Sequence, residues 1–238
     1  MLTKKNRVWA IAALFGGILG LSACLKSGDN IIPRPPFYVA FINAATTPSS
    51  MDIFQDNKKL NNTAPFPMGA GSVLPVPVAG TYAFSFRNIN GVGLDSVTRQ
   101  FDSLQAYTII TYNQGGGTFR SLLQKEDLSN TSNQKINFRF LNLSTNTPAV
   151  DLYFNDVKVD SNRTYGFSAS WININPALDA YTYKVKLAGT DSVIARGGDG
   201  TPAQLSTMDV YTFFLTGLAG STDNATKLKI SYTRHYLR

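Results

Sequence analysis

Two residue types that carry much of enzyme chemistry are almost missing from this chain: among 238 residues, Glu126 is the only glutamate and His235 the only histidine. Hydrolysis needs an activated nucleophile or a matched acid and base. No Gly-x-Ser-x-Gly or His-Glu-x-x-His motif supplies one. A triad built on His235 would have to assemble at the end of the chain, where segments fray. Pairs of aspartates serve some glycosidases, but no local motif here singles out a carboxylate. Cys24 is the only cysteine, which excludes an intrachain disulfide. The glycine runs at 115–117 and 197–200 fit neither phosphate-binding pattern and open no helix, so they are loop tips. No segment has a long apolar period of 3.6 residues, so helices should be few. These absences leave no catalytic residue, metal or cofactor to assign, and the chain is expected not to be an enzyme.

What is present begins with an address. Residues 1–23 carry Lys4, Lys5 and Arg7, then an apolar run, then small residues, which is the layout of an export signal. The run is short for a membrane span of about 20 residues. Leu21-Ser22-Ala23-Cys24 resembles the box that ends bacterial lipoprotein signals. The resemblance implies a diacylglycerol on the sulfur of Cys24, which becomes the mature N-terminus and a membrane anchor. Each buried methylene of such an anchor contributes about 0.8 kcal/mol. Loss of the leader's three cations lowers the formal net charge from +7 to +4. A balance so ordinary gives no reason to expect nucleic acid as a partner. Residues 24–36 include Pro33, Pro35 and Pro36 and form an extended tether. Cys24 is followed by Leu25, not by the Asp that marks inner-membrane retention in enteric bacteria, and no dense acidic run follows. The expected location is the outer membrane, with its periplasmic face slightly preferred over the cell surface.

The rest of the chain repeats itself. Phe37, Val39 and Phe41 alternate with Tyr38, Ala40 and Ile42; Ile136, Phe138 and Phe140 alternate with Asn137, Arg139 and Leu141. A shift of 99 positions superposes these sets, then Asn43 on Asn142, Asp52 on Asp151 and Ile53 on Leu152. Period-two alternation predicts strands with one face packed inward and the other in solvent, with Asn137 and Arg139 marking the wet face. The likeness continues with gaps: 80–86 with 180–187, 94–97 with 190–193, 105–112 with 209–217. In the last segment Leu228, Ile230 and Tyr232 share one side. Short strands at this spacing predict an all-β protein of two tandem immunoglobulin-like antiparallel sandwiches, residues 37–126 and 136–238, with a polar linker at 127–135.

Pro148-Ala149-Val150-Asp151-Leu152-Tyr153, followed by Asn155, resembles the recurring phrase of the DUF4397 domain of bacterial envelope proteins. Asp156 stands where that family usually has Gly, and the first copy, Ser50-Met51-Asp52-Ile53-Phe54, is more divergent. With the box at Cys24, the pattern resembles DUF4397 lipoproteins of Bacteroidota. The resemblance implies an envelope β-sandwich and transfers no catalytic residue.

Asp52 and Asp151 recur, but a calcium site needs 6–8 oxygens and no Asp-x-Asp cluster is present. They are expected to accept hydrogen bonds from turn amides. Trp171 and Tyr165 are candidates for stacking on a sugar ring, against the alternative of core packing. Ser96, Ser103 and Ser192 follow aspartate and precede an apolar residue, a pattern that Bacteroidota use for O-glycosylation; about one such match is expected by chance at ordinary composition. The expectation is a non-catalytic, lipid-anchored envelope protein acting as a structural or protein-interaction module. The alternative is a glycan-binding lipoprotein, with an envelope polysaccharide in place of a protein partner; an envelope hydrolase comes third.

Overall fold

The computed structural model describes residues 36–177, 180–197 and 202–235. The leader, Cys24 and most of the tether lie outside them, as do residues 198–200 of the second glycine run. Residues 34–238 belong to one compact unit.

The first half is built from β1 (Phe37–Asn43), β2 (Ser50–Gln55), β3 (Lys58–Lys59), β4 (Phe66–Pro67), β5 (Gly71–Val76), β6 (Gly80–Arg87), β7 (Gly93–Phe101), β8 (Ala106–Gln114) and β9 (Thr118–Lys125). One sheet runs β5-β1-β8-β9 and the other β3-β2-β6-β7, with β4 paired beside β2. The second half consists of β10 (Ile136–Asn142), β11 (Val150–Phe154), β12 (Val157–Arg163), β13 (Ile172–Ile174), β14 (Tyr183–Leu187), β15 (Val193–Arg196), β16 (Val210–Thr216) and β17 (Lys229–His235). Its sheets run β13-β10-β16-β17 and β12-β11-β14-β15, which repeats the order of the first half apart from β4. The fold is all-β: two sandwiches, each with its own core. Within each the named strands pair antiparallel except at one place, where β1 lies parallel to β8 and β10 parallel to β16.

The alternating residues fill the cores. Phe37, Val39 and Phe41 meet Phe84, Phe86 and Phe101 in the first half. Ile136, Phe138 and Phe140 meet Val150, Leu152, Phe154 and Phe213 in the second, with Leu228, Ile230 and Tyr232 along its margin. Each fully buried ring of this kind contributes roughly 2–3 kcal/mol through its removal from water. The hairpins explain the recurring phrase. Asp56 and Asn57 link β2 to β3 at φ 46° and 68°, and Asn155 and Asp156 link β11 to β12 at φ 44° and 67°. Two successive left-handed residues match the twist of a tight hairpin, and Asn and Asp tolerate them better than other side chains do. Asp56 Oδ1 accepts from the Ala83 N–H at 2.9 Å, and Asn155 Oδ1 from the Thr182 N–H at 2.8 Å, so each turn is tied to the next strand.

The outer faces of β1 and β10 depart from expectation. Asn137 and Arg139 do not face solvent; both are buried, as are Ala40 and Ile42. The two sheets that carry these strands pack against each other. Between them lies a third apolar cluster of Ile42, Ala44, Ile110, Leu141, Leu143 and Phe214. Its members are repeat-equivalent pairs (Ile42 with Leu141, Ala44 with Leu143, Ile110 with Phe214), so the halves meet through the same face of each. Local alternation shows which residues share a face but not what covers it. The polar segment 127–135 is stitched down as well: Ser132 N–H donates to Asn137 Oδ1 at 2.7 Å, and the Asn130 carbonyl accepts from Asn173 Nδ2 at 3.0 Å.

Candidate functional site

Beside this apolar seam lies a buried polar centre. The Arg139 guanidinium projects from β10 and donates Nη1–H to Glu126 Oε2 at 2.8 Å and Nη2–H to Glu126 Oε1 at 2.6 Å. Its Nε–H donates to Thr212 Oγ1 at 3.0 Å, and Nη2 lies 3.4 Å from Thr108 Oγ1. Thr108 donates in turn to Glu126. Arg139 and Glu126 are 5% and 7% exposed, so the pair is dry, and the two-pronged geometry is what such burial requires. Thr108 and Thr212 are repeat-equivalent, one from each half, and one guanidinium holds both.

His235 completes the centre. It closes β17 at 1% exposure, with Nε2 at 2.9 Å from Thr212 Oγ1. The Thr212 hydroxyl, which accepts from Arg139, is also the imidazole's hydrogen-bond partner, and burial beside the guanidinium keeps the ring neutral. Burial first, and then the Arg139 charge, lower its pKa from 6.5 to about 3. His235 itself is not frayed but anchored here, because β17 pairs with β16 along its length up to His235. Glu126 and His235 also correspond in register: Glu126 N–H bonds the Ala106 carbonyl beside β8, and His235 pairs with Val210 of β16.

Trp171 lies against the centre, just before β13. The Arg139 guanidinium stacks over its ring at 4.7 Å, His235 meets it edge-on at 6.0 Å, and Nε1–H donates to the Asp127 carbonyl at 2.8 Å. The indole lines a cleft of about 690 Å³ together with Gln124, Asp127, Asn130, Ser170 and Asn173. The Asp127 carboxyl is held below the usual carboxylate range by the backbone N–H of Ser129.

Tyr165 is in a different place. It is 38% exposed and lines a second cleft, of about 580 Å³, with Tyr112, Phe167 and Thr145. Its ring packs edge-on against Phe167 at 5.4 Å, and Phe167 lies 4.5 Å from Tyr112. Trp171 and Tyr165 therefore form no common platform. Asn113, also in that cleft, accepts from the Thr46 and Thr47 N–H groups and donates to the Thr47 and Gly117 carbonyls.

The recurring aspartates have structural partners. Asp52 pairs with Lys59 at 2.7 Å and Asp151 with Lys158 at 3.2 Å, the same spacing in each copy. Asp151 also accepts from the Asn162 N–H at 2.8 Å. Burial alone would raise its pKa, but Asn162, Lys158 and the Gly189 N–H together hold it low. Arg87 stacks on Phe54 at 4.3 Å, and its repeat-equivalent Lys186 on Tyr153 at 4.8 Å. Of the three serines, Ser96 on β7 and Ser192 before β15 are exposed, whereas Ser103 in the β7–β8 turn is half-buried. The preceding aspartates are engaged: Asp95 with Ser121, Asp102 with Lys125, Asp191 with Lys186. Among the described residues no group of three or more His, Cys, Asp or Glu side chains could hold a metal ion.

Sequence reasoning missed the Glu126–Arg139–His235 centre. A signal was present: Arg139 interrupts an apolar alternation at the position where the first copy has Ala40.

A DUF4397 domain, described as a domain of unknown function, is found at residues 37–153. That span covers the first half and runs into β11, through the Pro148–Tyr153 phrase. No curated protein matches the chain. Among solved structures, the N-terminal domain of AlgF from P. aeruginosa is similar at 25% identity over 40% of this chain and 98% of that one, with a TM-score of 0.28. A family-26 carbohydrate-binding module from Eubacterium rectale, solved in complex with maltoheptaose, is similar at 10% identity over 84% of this chain and 96% of that one, with a TM-score of 0.23. At such scores neither likeness decides anything about this chain's ligand.

Proposed function

We propose that this chain is a non-catalytic, lipid-anchored protein of the cell envelope, in which a DUF4397 domain and a second copy of the same sandwich act together as a recognition module. One observation carries the non-catalytic part. The sole glutamate and sole histidine, together with Arg139, are buried and spend their hydrogen bonds on one another and on Thr108 and Thr212. A buried, neutral imidazole hydrogen-bonded to threonine is in no position to activate a nucleophile for a substrate in solvent. Support for the anchor comes from the box ending at Cys24, which resembles a lipoprotein processing site. On this reading the protein sits on the periplasmic face of the outer membrane and meets an envelope protein or polysaccharide.

The anchor is tested by Cys24→Ser. The unsubstituted protein is expected in the membrane fraction with acyl chains in its intact mass, and the variant in the soluble fraction without them. An unsubstituted chain recovered soluble and unacylated overturns the anchor. Turnover of an ester, glycoside or phosphoester that a single substitution abolishes overturns the non-catalytic reading.

A further inference from the structure

We propose that the cleft beside Trp171 binds an uncharged saccharide. The inference rests on the non-catalytic module proposed above and names its ligand class.

Three observations lead there. The cleft, at about 690 Å³, falls within the range of small-ligand sites. Its wall combines an indole ring with short polar side chains: Ser168 and Ser170 supply hydroxyls, Asn130 and Asn173 supply amides, and Asp127 supplies a carboxylate. Pyranoses present an apolar face of C–H groups and a rim of hydroxyls that both donate and accept, which matches this mixture. Gln124 Oε1, in the same wall, is buried and accepts no hydrogen bond within the described residues. A buried acceptor left this way costs about 1–3 kcal/mol, and the Gln124 amide has to turn before a ligand hydroxyl in the cleft can reach it and recover that cost, since its oxygen has almost no exposed surface.

The ring is also held ready. Arg139 covers one face, His235 meets it edge-on, and the indole N–H is bound to the Asp127 carbonyl, so little side-chain freedom remains to be lost on binding. A pyranose packs on the ring face away from the guanidinium. The polar centre thereby gains a second use: it positions the platform.

Charge selects against the alternatives. Both cations of the wall are already paired, Arg139 with Glu126 and Lys125 with Asp102, so a phosphate, sulfate or uronate finds no free partner. The ionised Asp127 repels them. The Tyr165 cleft is the weaker candidate, since its rings pack on one another and the amide of Asn113 is committed to backbone.

The molecule carries its own probe. Trp9 lies in the leader and Trp171 is the only other tryptophan, so the fluorescence of the mature chain reports this cleft alone. The full mature protein is titrated with cellotetraose, chitotetraose, mannotetraose and maltotetraose, with tetragalacturonate as the charged control, and the heats are measured in parallel. At least one uncharged tetrasaccharide is expected to change the emission saturably below about 10 mM, and tetragalacturonate is not. Ser168→Ala and Ser170→Ala are expected to weaken binding at least about tenfold with the thermal midpoint unchanged. Silence with all four uncharged sugars by both measurements overturns the proposal. So does binding that both variants leave unaltered, or a preference for tetragalacturonate. A protein that fails here yet partitions with the membrane through Cys24 loses only the ligand, not the anchor.

Discussion

His235 is kept neutral because the protein gives it one hydrogen-bond partner and no water, with the Arg139 guanidinium nearby. In the unfolded chain it titrates near 6.5; in the folded one near 3. The folded state therefore binds the proton less readily, and the group's contribution is complete above pH 6.5 and declines as pH falls towards 3. Between pH 7 and pH 5 the loss from this one residue is about 2 kcal/mol. His235→Gln removes the titration, so the difference in unfolding free energy between variant and wild type should shrink by that amount over the same interval. Parallel curves for the two proteins, in urea titrations at each pH, would show that the imidazole is not linked to folding. The residues facing it are Arg139, Thr212 and Trp171, and of these only Trp171 is a binding candidate on sequence alone. The scarcity of Glu and His was visible; that both belong to one centre was not, because residues 126 and 235 are linked only through Arg139 and Thr212 once the halves dock.

At the scale of elements, β5 lies close against the second half. A methyl group added at Gly71 would come 2.8 Å from Thr233 Cβ on β17 and 3.1 Å from the Phe214 ring. Neither neighbour is the loose end of a flexible chain, so Gly71→Ala is expected to cost about 1–3 kcal/mol by overpacking the seam. Gly93→Ala on β7, where nothing lies within 4 Å, is the control and should leave the thermal midpoint nearly unchanged. Equal midpoints for the two variants would mean that the seam is soft. The strands themselves were legible from alternation, as Phe37, Val39 and Phe41 show. The parallel pairing of β1 with β8 was not, since period two looks the same in either direction.

At the scale of the whole molecule, the halves share one apolar seam and one buried ion pair, so they should unfold together. Calorimetry of the mature chain is expected to give one transition; two resolved transitions would contradict a shared core. Glu126→Gln leaves the Arg139 charge buried without its counter-ion and should cost about 3–5 kcal/mol, while the pair Glu126→Leu with Arg139→Met recovers much of that loss. A double variant no more stable than Glu126→Gln would remove the ion pair from the account of how the halves are held.

The sequence by itself determined the two sandwiches, the tight turns at Asp56–Asn57 and Asn155–Asp156, and the equivalence of the copies. These follow from short-range rules: side chains alternate across a strand, and few residues accept a positive φ. Only the tertiary structure decided that the outer faces of β1 and β10 are buried, that Arg139 is an internal cation, and that Trp171 stands at the edge of a cleft. Whether a face is wet depends on what docks against it, and here the docking partner lies about a hundred residues away in the chain.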